Sequence, residues 1–173
     1  MNPFYFVFLG LFLVCLVVRT GYELSKKSGR IDPNSKILFD FILAAMIALW
    51  VSWFSMCPID PFPISLPAPL RWIGFAIVIL GAGLAVGALV QMKGVENVRH
   101  LVTTGLFSKI RHPMYTGFLC WIVGWSMYFG ALTSFIFGVI AVFNILYWRR
   151  LEEEALELQH GESYRIYRKR AWF

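Results

Sequence analysis

Five apolar runs, each close to the length of a bilayer crossing, most constrain what this 173-residue chain can fold into. A helix needs about 20 mainly apolar residues to cross the hydrocarbon, with about 17 as the lower limit. The runs cover residues 3–18, 37–57, 72–92, 113–129 and 131–148, and only the last 25 residues are persistently polar. Composition agrees: 58% of the residues are hydrophobic and 15% charged. Soluble domains lie near half apolar and about a quarter charged. The expected fold is therefore all-α, a polytopic membrane protein with five transmembrane helices and a cytoplasmic C-terminal helical tail. Residues 1–173 form a single domain in this reading.

The net charge of +6 raises the question of nucleic acid, and its distribution answers it. Five Lys or Arg fall in 19–36, four in 93–111 and six from Arg149 onward, while the opposite side carries only Arg71. That is the loop asymmetry of membrane topology rather than one basic face. It predicts an outside N-terminus and a cytoplasmic C-terminus, in the plasma membrane of a prokaryote or the endoplasmic reticulum of a eukaryote, with no nucleic acid as partner. No cleavable signal peptide is expected, because the N-terminus lacks a basic region and Arg19 follows the first run without a small-residue cleavage site. Cys15, Cys57 and Cys120 have neither a disulfide framework nor metal-ligand spacing.

Between the second and third runs, "PIDPFPISLPAPL" cannot be helical throughout, since proline lacks the N–H that a helix interior needs. Gly130 alone separates the fourth and fifth, which predicts a tight helical hairpin. "GAGLAVG", residues 81–87, is a glycine cluster inside an apolar run. It reads as helix packing with Gly83 and Gly87 as a GxxxG pair, a surface that also permits self-association, rather than as a dinucleotide fingerprint.

"RHPMYTG", residues 111–117, opens the fourth run from the cytoplasmic side. Arg111 suits an interfacial anchor, and Pro113 suits a first helical turn. His112 and Tyr115, three residues apart, share a helix face. An anchor and a site explain these residues equally well. The tail "RRLEEEALELQHGESYRIYRKR" changes the weighing. Leu151, Ala155 and Leu158 recur at helical spacing and Gly161 is the expected cap. Three consecutive glutamates beside a membrane would be repelled by anionic headgroups. A hairpin of the last two spans returns Glu152 and Glu153 to the level of His112, giving a mixed-charge rim suited to a zwitterionic ligand.

"HLVTTGLFSKIRHPMYTGF" followed by "EEEALELQHGESYRIYRKR" resembles the membrane-embedded methyltransferases, among them the isoprenylcysteine carboxyl methyltransferases and the phospholipid N-methyltransferases. The likeness covers roughly the last 80 residues and rests on two distant motifs in the same order and spacing; the earlier spans match in hydropathy and position only. It implies that S-adenosyl-L-methionine binds on the cytoplasmic side within residues 91–173. Carried over by position, Leu101 and Val102 would meet that cofactor through backbone groups. His112 and Tyr115 would contact its amino-acid end, and Glu152 its ammonium. Glu153 would support the site, Arg111 would order the loop, and Gln91 corresponds to a cofactor-contacting glutamine. Two positions depart from the family pattern. Phe107 stands where tyrosine is usual, and Trp148 stands where the prenylcysteine enzymes carry an arginine for the acceptor. Arg149 and Arg150 are the expected substitutes.

The expected activity is methylation of a lipid-like or prenylated acceptor, with isoprenylcysteine-type carboxyl O-methylation first and phosphatidylethanolamine-type N-methylation as the alternative. A sterol-reductase-like enzyme using NADPH is disfavoured because the glutamates would repel nucleotide phosphates. A non-catalytic membrane protein whose tail docks a partner is the remaining reading.

Overall fold

The computed structural model describes residues 2–32, 35–92 and 101–173. Lys93, Arg99 and His100 of the loop charge count and of the quoted motif lie outside the described residues. The described chain is helical: α1 Pro3–Lys27, α2 Lys36–Met56, α3 Ala68–Met92, α4 Pro113–Phe129, α5 Leu132–His160 and α6 Glu162–Arg170. Short 3-10 turns occupy Cys57–Ile59 and Gly105–Ser108, and among the described residues two isolated bridges, Pro63 with Ala131 and Ile110 with Trp172, are the β-type pairings.

Among the described residues four helices are long and apolar enough to cross a membrane: α1, α2 with the following turn to Ile59, α3 and α5. In each, only 28% of the most apolar stretch is buried inside the bundle. Phe4, Val17, Ile37, Val90 and Phe143 point outward, as side chains do when the surrounding solvent is lipid. With 17 residues, α4 is at the short limit for a crossing.

Local chemistry sets the helix ends. Asn2 caps α1 by accepting from the Phe4 N–H at 3.0 Å. The proline-rich connection stays irregular until Ala68, where Pro69 is tolerated in the first turn of α3 because no intrahelical N–H is needed there. Gly130 ends α4 with φ of 66°, the left-handed conformation that glycine adopts at least cost, and the chain reverses directly into α5. The expected hairpin is present. So is the expected cap at Gly161, whose N–H donates to the Glu157 carbonyl at 2.9 Å.

Packing divides the bundle into two kinds of seam. Between α3 and α4 the backbones touch: a Cβ on Gly81 would come within 2.7 Å of the Gly117 carbonyl, and one on Gly74 within 2.7 Å of the Gly124 carbonyl. The GxxxG expectation is corrected here. Gly83 has nothing within 4 Å and Gly87 faces the Leu106 side chain, so the seam runs through Gly74 and Gly81 instead. Positions seven apart stay on one face over two turns, whereas Gly83 is rotated away. Between α2 and α4 large rings fill the gap. Trp50 lies 4.7 Å from Phe118 and 5.0 Å from Trp121, and Phe54 lies 5.2 Å from Trp125. These rings hold the two backbones apart, and toward the N-terminal ends of both helices they give way to a cavity.

At the far end of the bundle Asp60 fixes the proline-rich connection to the hairpin. Its Oδ2 accepts from the Ser134 N–H and hydroxyl, both at 2.6 Å, and its Oδ1 from the Phe62 N–H at 2.9 Å and the Thr133 N–H at 3.3 Å. The carboxylate thus serves the open N–H groups at the start of α5.

Candidate active site

The cavity lies between the C-terminal end of α1, the N-terminal halves of α2 and α4, and Glu152 of α5. Its interior holds about 70 Å³ and opens to the surface at its mouth. Its lining has two polar walls. One carries Arg111, His112, Tyr115 and Glu152; the other, entirely on α1, carries Arg19, Tyr22, Glu23 and Lys26. Apolar side chains of α2 and α4, among them Phe39, Leu43, Met46, Met114 and Phe118, join them.

The first wall is built by the turn that starts α4. His112 is the residue before the helix, and its carbonyl accepts from both the Thr116 N–H and hydroxyl at 3.0 Å, which holds the backbone that carries the imidazole. The ring is 5% exposed and stacks on Tyr115 with centroids 5.6 Å apart. Because α5 runs on past the apolar stretch ending at Trp148, its polar continuation brings two glutamates against that ring. Glu153 Oε1 lies 3.3 Å from His112 Nε2, and Glu152 Oε2 lies 3.7 Å from His112 Nδ1.

Glu153 is buried, with the Arg111 guanidinium at 3.2 Å and that of Arg149 at 4.0 Å in addition to the His112 imidazole. Burial by itself raises its carboxyl. The hydrogen bond and charge of His112, then Arg111 and Arg149, outweigh that and hold it down at about 2. Burial pushes the nearby Tyr164 phenol up, and repulsion from Glu153 adds to it. Glu152 is more open, its side chain 35% exposed, and it is the glutamate that fronts the cavity.

The C-terminal segment closes this wall from behind. Arg111 Nη1 donates to the carbonyls of Arg168 and Ala171 at 2.8 and 3.1 Å, and its backbone N–H donates to the Trp172 carbonyl at 2.9 Å. The Tyr167 hydroxyl, pushed up to about 12 by burial, donates to the Phe107 carbonyl at 2.7 Å. Tail and pre-α4 loop are thereby one unit.

The cavity brings together four of the residues singled out from the sequence, Arg111, His112, Tyr115 and Glu152, with Glu153 directly behind them. The others stand apart from it. Gln91 Oε1 accepts from the Leu106 N–H at 2.9 Å and so braces the Gly105–Ser108 turn. Leu101 packs on Tyr164 and Tyr167, and Val102 follows it in the same half-buried strand of loop. Arg149 lies over the Phe173 ring at 4.5 Å, and Arg150 pairs with exposed Glu154 at 3.1 Å. Leu158 of the expected apolar stripe is 89% exposed, while Leu151 is buried. Trp148 is buried, with its indole N–H donating to Thr20 at 2.9 Å.

The second wall escaped the sequence reading, which counted Arg19, Lys26 and their neighbours only as loop charge. The available signal was spacing: residues 19, 22, 23 and 26 fall on one face of a helix.

Taken together, the membrane-length apolar helices point to the class of multi-pass membrane proteins, here with a mixed-charge cavity at the polar end of the bundle. A family model for phospholipid methyltransferases matches residues 70–163, which is more than half of the chain and includes nearly all of α3 and the whole of α4 and α5. The chain belongs to the phospholipid methyltransferase family. It is 35% identical over 71 residues to a protein-S-isoprenylcysteine O-methyltransferase of Schizosaccharomyces pombe, covering 40% of this chain and 30% of that protein. It is 28% identical over 142 residues to the Dictyostelium discoideum enzyme of the same name, covering 76% and 57% respectively. A methanethiol S-methyltransferase of Pseudomonas deceptionensis is 27% identical over 148 residues, covering 75% and 55%. The chain thus spans from under a third to somewhat over half the length of these curated relatives.

Proposed function

We propose that this chain is an S-adenosyl-L-methionine-dependent membrane methyltransferase acting on a lipid-like or prenylated acceptor, with isoprenylcysteine-type carboxyl O-methylation as the leading reaction. The observation that carries this reading is the His112–Glu152–Glu153–Arg111 cluster at a cavity walled by membrane-length helices. Family membership and the activities for which three relatives are named support it. In this reading α4 also crosses the membrane, as the fourth of five spans, the N-terminus is outside, and the cavity and tail face the cytoplasm, in keeping with the basic loops.

The residues present fit the cofactor. A partly open carboxylate at the cavity, Glu152, matches an ammonium group, and a buried His112 held by Glu153 can donate to a carboxylate beside it. Tyr115 supplies an aromatic surface at the same place. When bound, S-adenosyl-L-methionine supplies a methyl group on a sulfonium, and the electron pair of the breaking C–S bond stays on sulfur. A carboxylate acceptor contributes its own lone pair to the new O–CH3 bond, so no proton needs to move. The protein's task is to align the two groups and exclude water. Phe39, Leu43, Met46 and Phe118 make the cavity apolar enough to do the second, and an acceptor with a hydrocarbon tail reaches them from the bilayer.

N-methylation of a phospholipid amine is the second reading, favoured by membership of the phospholipid methyltransferase family and by Glu152. Such an amine must lose a proton, and a carboxylate 35% exposed at the cavity is a suitable base. Membranes containing the protein, incubated with cofactor labelled on the methyl group, separate the two. Label released as methanol by mild base is expected and marks an ester. Label retained on extracted lipid marks N-methylation and overturns the carboxyl reading. No incorporation, together with no cofactor binding by intact protein, removes the enzyme reading altogether.

A further inference from the structure

We propose that Lys109, Lys169, Arg170 and Trp172 form a docking surface for anionic phospholipid headgroups, and that seating it on such headgroups tightens cofactor binding. This rests on the methyltransferase reading, in which α4 crosses the membrane, and extends it to residues outside the cavity.

The segment from α6 onward has two faces. Tyr164, Tyr167 and Ala171 recur at helical spacing and are buried against Leu101 and Leu156. Ile166, Lys169 and Arg170 stand at i, i+3 and i+4 on the opposite side, and all three are exposed. The cations of α6 divide accordingly. Arg165 and Arg168 reach back to Glu157 of α5, at 2.8 and 3.6 Å, and brace the turn between the two helices. Lys169 and Arg170 have no carboxylate partner among the described residues, and the same holds for exposed Lys109.

Position decides what this face meets. The Trp172 N–H donates to the Lys109 carbonyl at 2.8 Å, and the Trp172 carbonyl accepts from the Arg111 N–H at 2.9 Å. The end of α6 is thereby returned to the residues that start α4, in this reading the level at which that helix enters the bilayer. Phe173 turns inward against the Arg149 guanidinium, whereas Trp172 is 68% exposed. A tryptophan open among unpaired cations suits the headgroup layer, where its ring meets apolar groups and its N–H finds acceptors. Ile166, 45% exposed, extends the apolar contact. The cations then select anionic over zwitterionic headgroups, each strengthening association roughly fivefold.

The same segment holds the site. Arg111 donates to the carbonyls of Arg168 and Ala171 and pairs with Glu153, which in turn meets the His112 ring. Lys109 belongs to the loop and Lys169 and Arg170 to the tail, so the three gather around Trp172 only while loop and tail are joined. An anionic surface therefore binds the joined form better than the parted one, and shifts the equilibrium by that difference. Cofactor binding, which uses His112 and its supports in place, is tightened by the same coupling.

The test places purified full-length protein in bilayer discs of phosphatidylcholine mixed with phosphatidylglycerol, one or the other lipid brominated on the acyl carbons nearest its headgroup. The fluorescence difference between wild type and Trp172→Phe isolates the Trp172 signal. Brominated phosphatidylglycerol should quench it severalfold more than brominated phosphatidylcholine at equal content. Salt at about 1 M, where screening acts within about 3 Å, should remove the preference. Affinity for S-adenosyl-L-methionine should be at least about fivefold tighter in mixed discs than in phosphatidylcholine alone. The double substitution Lys169→Gln with Arg170→Gln should lose most of both preferences, while keeping the unfolding midpoint and the affinity measured in phosphatidylcholine alone. Equal quenching by the two lipids overturns the docking surface. Preferential quenching with the same cofactor affinity in both kinds of disc overturns the coupling. Failure of wild type to bind the cofactor in any disc brings down the methyltransferase reading instead, and the quenching comparison distinguishes that outcome from the other two.

Discussion

Asp60 and Glu153 are both buried carboxylates attached to α5, about 28 Å apart along its axis by helical rise. Asp60 accepts from three backbone N–H groups and one hydroxyl, all neutral donors of its own chain, and it fronts no described cavity. Glu153 is met instead by an imidazole and two guanidinium groups, and its partners His112 and Arg111 line the cavity with Glu152. The difference separates a carboxylate used to hold a fold from one used to hold a site. Neutral donors satisfy the first at moderate energy, and nothing remains for a ligand. Clustered charges at the second keep a strong field next to a void, which is where it acts on something that arrives.

Substitutions at the two ends should therefore separate affinity from stability. Glu152→Ala should weaken cofactor binding by roughly 10- to 100-fold, since a hydrogen bond to a charged group contributes about 1.5–3 kcal/mol. Its unfolding midpoint should barely move. Titration of purified protein with S-adenosyl-L-methionine measures the first, and thermal unfolding the second. Asp60→Ala should do the reverse. It leaves buried N–H groups of Thr133 and Ser134 unpaired, at about 1–3 kcal/mol of stability, with cofactor affinity within about twofold. Comparable affinity losses from the two substitutions would abolish the distinction.

The seams allow the comparison to be carried into the bundle. Gly81→Ala places a methyl against the Gly117 carbonyl and the Cys120 Cβ, neither of which is a flexible side-chain end. Overpacking of this kind costs about 1–3 kcal/mol, so α3 should separate from α4 and unfolding should come at lower temperature. Gly83→Ala, facing open space, should be neutral or slightly stabilising. Equal effects would mean that the close approach of α3 and α4 does not hold the bundle.

These examples also show what could be read from sequence. Apolar runs with basic loops give helices whatever their partners, so the elements were legible, and Gly130 and Gly161 marked their ends. His112, Tyr115 and Glu152 were legible because two motifs flank one hairpin, which returns the chain to its starting level. Arg19 and Glu23 were not, because a charge at a helix end has the same sequence signature whether it faces water or turns inward. Asp60 was hidden among prolines, and its role exists only once the start of α5 comes back to it. Gly83 looked as suited to packing as Gly81, and only the rotation of α3 against α4 decides between them. The Gln91 amide oxygen accepts from the Leu106 N–H, a contact set by a turn fifteen residues along the chain that no local pattern specifies.

The smallest expected effect concerns pH. Glu153 is held at about 2 in the folded protein, against about 4.3 for a glutamate in an unfolded chain. The folded state therefore binds fewer protons through that interval. The associated stability is fully present above the unfolded value and is lost as pH falls from about 4.3 toward 2. Unfolding midpoints in detergent, followed from pH 6 downward, should decline over that window in wild type. Glu153→Gln removes the titrating group, so its midpoint should start lower at pH 6 and decline less steeply. Parallel curves for the two proteins would mean that His112, Arg111 and Arg149 do not hold the carboxylate in its charged form. The contrast with Asp60 would then rest on the cavity alone.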